Sequence, residues 1–391
     1  MEFQQIKQLA GIAQICGVAL LTAYCSSGEV ETDPMFRSEL ESVAAADLLP
    51  SISAKAQGIG VTGAAITVLD GENEPITYHL GRSKPNLQFQ AASMSKAIAA
   101  AVILTLAEQE AVGLDDDIRE QIVSLKSSQI LPLDRAVTLR QLLSNTSGAS
   151  VEGFWGYAIG DELPTTQEIV TDPPAWHESA VDFDGEVGVF SYAGGGFMVA
   201  QLWAEDISGK DFADLAQRLL LDPLGMKNST FVQTSAASDA QKAARVGADG
   251  DGLENSWRNH PEQAAAGLWT TSEDYAKFAM ALVNAANGEQ NAISSAIAKA
   301  MTTSQVQLEG KAHYGLATQL YLNDDRSVRY VSHSGGNAGY KCLFSASPPI
   351  AGRQPRVVVS MTNAPQGAGF NQDVVYGLMA REISFSTPNE Q

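Results

Sequence analysis

The chain has 391 residues, 45% of them hydrophobic and 18% charged, which is enough apolar material for a large core in one or more domains. A net charge of -20 excludes a nucleic-acid partner, because phosphates are held by clustered Lys and Arg. Three cysteines (Cys16, Cys25 and Cys342) make no disulfide framework, and without a His-Glu-x-x-His or paired Cys-x-x-Cys pattern no metal site is expected.

The run 9–23 is apolar, with Lys7 before it, and is too short and too broken by Gln14 to span a membrane. It reads as a signal peptide over residues 1–25. Cys25 is followed by a polar stretch to Pro34, which resembles a bacterial lipoprotein leader, although Tyr24 stands where such leaders carry a small residue. That resemblance implies a lipid-modified Cys25 as membrane anchor, a tether over 26–47, and an exported protein, periplasmic or held at the membrane.

Residues 64–69 are rich in β-branched side chains, Asp70-Gly71 turns the chain, and 76–81 returns, which predicts a hairpin. Ser93 and Lys96 then stand three apart at the head of an apolar helical run expected to reach Val112 and stop at Gly113. Positions i and i+3 share a helix face, so the Lys96 amine can reach the Ser93 hydroxyl. A serine is a weak nucleophile until a base takes its proton, and a lysine whose pKa is lowered by burial can be that base. Leu114-Asp115-Asp116-Asp117 reads as a solvated loop, and 137–148 as a short helix ending in a polar turn.

Tyr192 comes next, before Gly194-Gly195-Gly196, which lacks the strand and Gly-Lys-Ser/Thr ending of a phosphate loop. A helix is expected over 212–221, a plain loop at 249–252, and a helix capped by Ser272 after Thr271. Strands are expected from His313 onward. Val331-Ser332-His333-Ser334-Gly335-Gly336-Asn337 is one of them, 357–363 is a central strand, and 371–383 is a closing helix.

Taken together, Ser93-x-x-Lys96, Leu114-Asp115-Asp116, Leu142-Leu143-x-x-Thr146-Ser147-Gly148, Tyr192 and His333-Ser334-Gly335 resemble the serine β-lactamase and penicillin-binding protein superfamily. The likeness is to its class C-like branch, which also holds D,D-peptidases, D-aminopeptidases and carboxylesterases. It implies an α/β (α+β) fold over 48–385, an antiparallel sheet flanked by helices. The sheet part would be about 48–92 and 265–385, and a helical subdomain about 93–264. It also implies roles. Ser93 is the nucleophile, Lys96 and Tyr192 its base and relay, and His333 lies on the third motif. The N–H groups of Ser93 and Gly336 form an oxyanion hole, with Ser334, Gly335 and Gly194 lining the substrate.

No cofactor is implied. The branch usually carries histidine where Asn145 stands, a position given no chemical role. Gly194 replaces the asparagine that clamps acylamino substrates, which favours a small-molecule ester or amide and leaves room for bulkier acyl groups. The expected activity is ester or small-amide hydrolysis through an acyl-enzyme. The alternatives are a D,D-peptidase (D-alanyl-D-alanine carboxypeptidase) or β-lactamase acting on cell-wall peptides or β-lactams, and a member that only binds a ligand.

Overall fold

The computed structural model describes residues 32–174, 179–233, 242–243, 256–349 and 353–382. The signal-peptide segment, Cys25 and the loop at 249–252 lie outside them.

Ten strands are described: β1 (Gly63–Asp70), β2 (Ile76–Gly81), β3 (Phe89–Gln90), β4 (Trp269–Thr270), β5 (Val306–Gln307), β6 (Ala312–Tyr314), β7 (Gln319–Leu322), β8 (Val328–Asn337), β9 (Tyr340–Ser347) and β10 (Arg356–Thr362). Eight form one sheet in the order β2-β1-β10-β9-β8-β7-β6-β5, and its listed pairings are antiparallel. β10 joins the hairpin β1–β2 to the rest of the sheet, which is why its run of Val357, Val358 and Val359 is buried throughout. β3 and β4 make a separate two-stranded ribbon.

The helices are α1 (Pro34–Ser42), α2 (Ala45–Gly58), α3 (Ser95–Gln109), α4 (Leu139–Leu143), α5 (Thr166–Thr171), α6 (Gly194–Ser208), α7 (Phe212–Ala216), α8 (Gln263–Ala266), α9 (Ser272–Ala286), α10 (Ser295–Met301) and α11 (Gly367–Ala380). α11 packs on β9 and β10 from one face of the sheet, with α1 and α2 against it, and α9 packs on β1, β9 and β10 from the other. Each face has its own core. Leu40, Ile52, Ile66, Val358 and Leu378 belong to one, and Phe278, Val359, Phe344 and the buried side of α3 to the other. α3 is apolar nearly all round, as a helix enclosed on every side must be. Between Gln90 and Trp269 the described residues hold helices and turns but no strand of the sheet.

Four expectations need correction. Residues 34–47 are not a tether. Asp33 caps α1 by accepting from the N–H groups of Met35 and Phe36, and α1 and α2 are docked on α11 through Phe36, Leu40, Leu48 and Ile52. α3 ends at Gln109, and the chain reverses at Ala111 (φ +54°) before reaching Gly113. The cap of α9 is Thr271, whose hydroxyl accepts from Asp274 N–H, while the Ser272 hydroxyl is hydrogen-bonded to Thr67 on β1 at 2.8 Å. The closing helix starts at Gly367 and ends at Ala380.

Candidate active site

Ser93 lies in a single tight turn, Ala92–Met94, between β3 and α3. Ala92 has φ +47°, a left-handed conformation that costs a side-chain-bearing residue energy and persists only where its surroundings enforce it. Those surroundings are dense. Ala91 N–H donates to Leu268 O at 2.9 Å, and Leu268 N–H donates to the Ser95 hydroxyl at 3.0 Å. The Tyr275 hydroxyl donates to Met94 O at 2.9 Å, and the Cys342 thiol to Ala91 O at 2.9 Å. The turn is thereby pinned to β4, α9 and β9, with Ser93 itself only partly buried.

Lys96 is 1% exposed. Its Nζ donates to Ser93 Oγ at 3.3 Å and to Ala265 O in α8 at 2.8 Å. The same Nζ stands 4.9 Å from the centre of the Tyr192 ring and 5.5 Å from that of Phe197, so its charge is met by two aromatic faces.

Tyr192 is positioned by Asn145, which sequence reasoning left without a role. Asn145 has φ +56°, its carbonyl accepts from Ser191 N–H at 2.9 Å, and its Oδ1 accepts from Ala193 N–H at 3.0 Å. The two bonds bracket Tyr192. The signal for this was faint: an Asn in a polar turn tolerates the left-handed region better than other side chains.

β8 supplies the other wall. A Cβ at Gly335 would sit 2.2 Å from Ala91 O and 2.7 Å from Cys342 Sγ. Glycine at 335 is therefore required by contact between the strand and the nucleophile turn, not by room for substrate. β8 and β9 are joined by the two-residue turn 338–339, whose flanking pair, Asn337 and Tyr340, is the hydrogen-bonded one in such hairpins. Alternation then turns the Gly336 N–H away from β9. On that side β7 pairs only as far as Ser332, so among the described strands the Gly336 edge is open.

His333 is fully buried, its ring centre 6.4 Å from that of Tyr192. Its Nδ1 lies 2.7 Å from Ser334 O, and since a carbonyl only accepts, Nδ1 carries the proton. Nε2 then accepts from the Tyr314 hydroxyl at 3.3 Å. Burial pulls its pKa down to about 4. The Ser334 carbonyl opposes that shift, and the nearby Lys96 charge adds to it. The imidazole is a neutral, fixed tautomer.

The structure thus brings Ser93, Lys96, Tyr192, His333, Gly335 and Gly336 together. Two residues differ from expectation. Strand alternation turns the Ser334 side chain away from His333 and Gly335, and its hydroxyl is closed off from solvent with no hydrogen-bond partner. Gly194 leaves no room, because a Cβ there would lie 2.9 Å from the ring of Phe154. Nothing in the sequence pointed to Phe154. Among the described residues no group of three or more His, Cys, Asp or Glu is placed to hold a metal ion.

Comparison with known proteins agrees with this arrangement. The family model described as Beta-lactamase matches residues 51–377. The putative penicillin-binding protein PbpX of Bacillus subtilis is 24% identical over 216 residues, 53% of this chain and 50% of that one, so the match spans half the relative's length. The octameric penicillin-binding protein homologue from Pyrococcus abyssi superposes with a TM-score of 0.68 at 22% identity, over 86% of this chain and 78% of its own. EstCE1, described as a hydrolase with promiscuous acyltransferase activity, does so with a TM-score of 0.65 at 16% identity, over 89% and 99%. At such identities the structural likeness establishes the fold.

Proposed function

The chain belongs to the beta-lactamase family over residues 51–377, and from that premise we propose that it is a serine hydrolase cleaving an ester or small amide bond through an acyl-enzyme on Ser93. The observation that carries the reading is the Lys96–Ser93 hydrogen bond at 3.3 Å. It joins a fully buried amine, set against the Tyr192 ring, to a hydroxyl that remains accessible.

Lys96 and Tyr192 accept the Ser93 proton as Oγ bonds to the substrate carbonyl carbon. The carbonyl electrons move onto oxygen, which is held by the N–H groups of Ser93 and Gly336. Collapse of this intermediate expels the alcohol or amine, which takes the proton. Water then attacks the acyl-enzyme by the same route and releases the acid. His333, neutral and tied at both nitrogens, is a positioning residue for this wall and not a proton donor. Export, with Cys25 as a lipid attachment point, belongs to the same reading and is supported by the sequence of residues 7–34 alone.

A second reading, action on D-alanyl peptides or β-lactams, is favoured by the penicillin-binding relatives. The ester reading is preferred because Gly194 offers no side-chain amide to an acylamino group. Intact mass after treatment with a fluorophosphonate tests the chemistry: one adduct on Ser93 is expected, absent in Ser93→Ala, and an adduct on another residue would sink the assignment. Lys96→Ala and Tyr192→Phe should each cut kcat/KM severely, with the double variant little worse than either, as for residues acting as a unit. A panel of p-nitrophenyl butyrate, a D-amino-acid amide and a chromogenic cephalosporin separates the readings. Cephalosporin turnover matching that of the ester would move the protein to the second.

A further inference from the structure

We infer that Phe154 sets the acyl preference of this enzyme, selecting substrates whose group next to the reacting carbonyl is an aryl or alkyl group over those with an acylamino group there. The inference rests on the serine-hydrolase reading and deepens it.

α6 begins two residues after Tyr192. Its first two N–H groups are not free for a ligand, because Gly194 N–H donates to Glu152 O at 3.1 Å and Gly195 N–H to Val151 O at 3.0 Å. These two bonds lay the segment 151–154 across the start of α6. The crossing is close: a Cβ at Gly195 would lie 2.3 Å from Ser150 O, and one at Gly194 would lie 3.2 Å from Glu152 O and 2.9 Å from Phe154 Cε2. The glycines therefore serve the crossing, and the crossing delivers the Phe154 ring to the position a side chain at 194 would otherwise fill. The ring is only partly buried, so one side of it remains available.

The neighbouring surface has the same character. Trp155, the next residue, is 68% exposed. The segment 185–191, which leads into Tyr192, is held along the Asn145 turn by Gly188 N–H to Thr146 O at 2.8 Å and Ser191 N–H to Asn145 O at 2.9 Å. It exposes Val187 and Val189, and its Phe190 ring packs 5.1 Å from Tyr314, the partner of His333. Both loops that frame Tyr192 thus present apolar side chains. An aryl or alkyl group set against Phe154 leaves water for an apolar wall. An amide in the same place gives up its hydrogen bonds to water, and the ring returns none.

The test is the ratio of kcat/KM for p-nitrophenyl phenylacetate to that for the p-nitrophenyl ester of N-acetylglycine. Measured within one variant, the ratio cancels any loss of folded enzyme. The wild type should favour the phenylacetate by about tenfold or more, Phe154→Ala should reduce that ratio about tenfold, and Phe154→Leu should keep most of it. A wild-type preference for the acylamino ester, or a ratio unchanged in Phe154→Ala, would overturn the inference. Fluorophosphonate labelling separates the two levels. If Ser93 is labelled and the ratio does not move, this inference alone falls; if Ser93 of the wild type is not labelled, the hydrolase reading falls with it. A thermal cycle checks the contact: Gly194→Ala should lower Tm, and Phe154→Ala should cost less in that background than in the wild type. Strictly additive losses would remove the structural basis.

Discussion

Asn145 does two things at once: it takes a left-handed backbone conformation and receives the N–H on each side of Tyr192, one through its carbonyl and one through its side chain. Asn145→Ala loses both the tolerance for that conformation and the Oδ1 contact, whereas Asn145→Gly loses only the contact. Both should lower kcat, and Asn145→Ala should also cost about 1–2 kcal/mol of stability, with Asn145→Gly costing less, as chemical denaturation would report. His333 gives a pH-dependent prediction. Its folded pKa of about 4 lies below the ordinary value of 6.5, so the unfolded chain binds the extra proton first as pH falls. Its contribution is therefore fully present above about pH 6.5 and is lost as pH drops toward 4, by about 3 kcal/mol in total. Urea unfolding at pH 7 and pH 5 should show a smaller loss for His333→Gln than for the wild type. Ser93, Lys96, Tyr192 and His333 were legible because their chemistry is written in residue type and spacing. Phe154 and Asn145 were not, because their roles arise from loops that meet only in three dimensions.

Among the elements, the hairpin β1–β2 and the central strand β10 could be read from alternation and β-branched runs, since both are buried ribbons whose pattern reports their environment directly. α1 and α2 were missed. Their apolar positions do recur at four-residue spacing, Phe36 with Leu40, and Leu48 with Ile52 and Ala56, but each stretch is short, and Pro50 interrupts the second. What fixes them is a polar relay that no local pattern announces. Lys55 of α2 donates to Asp33 at 2.8 Å, Asp33 N–H donates to Asp373 of α11 at 2.6 Å, and Arg37 of α1 pairs with the same Asp373 at 2.9 Å. Asp373 is 1% exposed. Asp373→Ala strands the Arg37 guanidinium and an N–H together, and should cost about 2–3 kcal/mol, read as a lower urea midpoint. If the midpoint does not move, α1 is not anchored through this residue.

At the scale of the whole molecule, 45 acidic against 25 basic residues make a net charge of -20 that repels itself in the compact state. Raising NaCl from about 10 mM to about 150 mM shortens the Debye length from about 30 Å to about 8 Å and should raise Tm; a flat or falling Tm would mean that local ion pairs such as Arg356–Asp70 and Arg140–Asp115 outweigh the long-range term. The tight seat of Gly335 on the Ala91 carbonyl has a consequence in time as well as in space. The nucleophile turn leaves the ribosome more than two hundred residues before the strand that completes its wall. Until β8 and β9 have emerged, the strained turn at Ala92 lacks two of its supports, Gly335 and the Cys342 thiol. A growing chain would therefore carry its serine through most of synthesis in an unassembled site, and reactivity would switch on late, when the last third of the sheet closes over it.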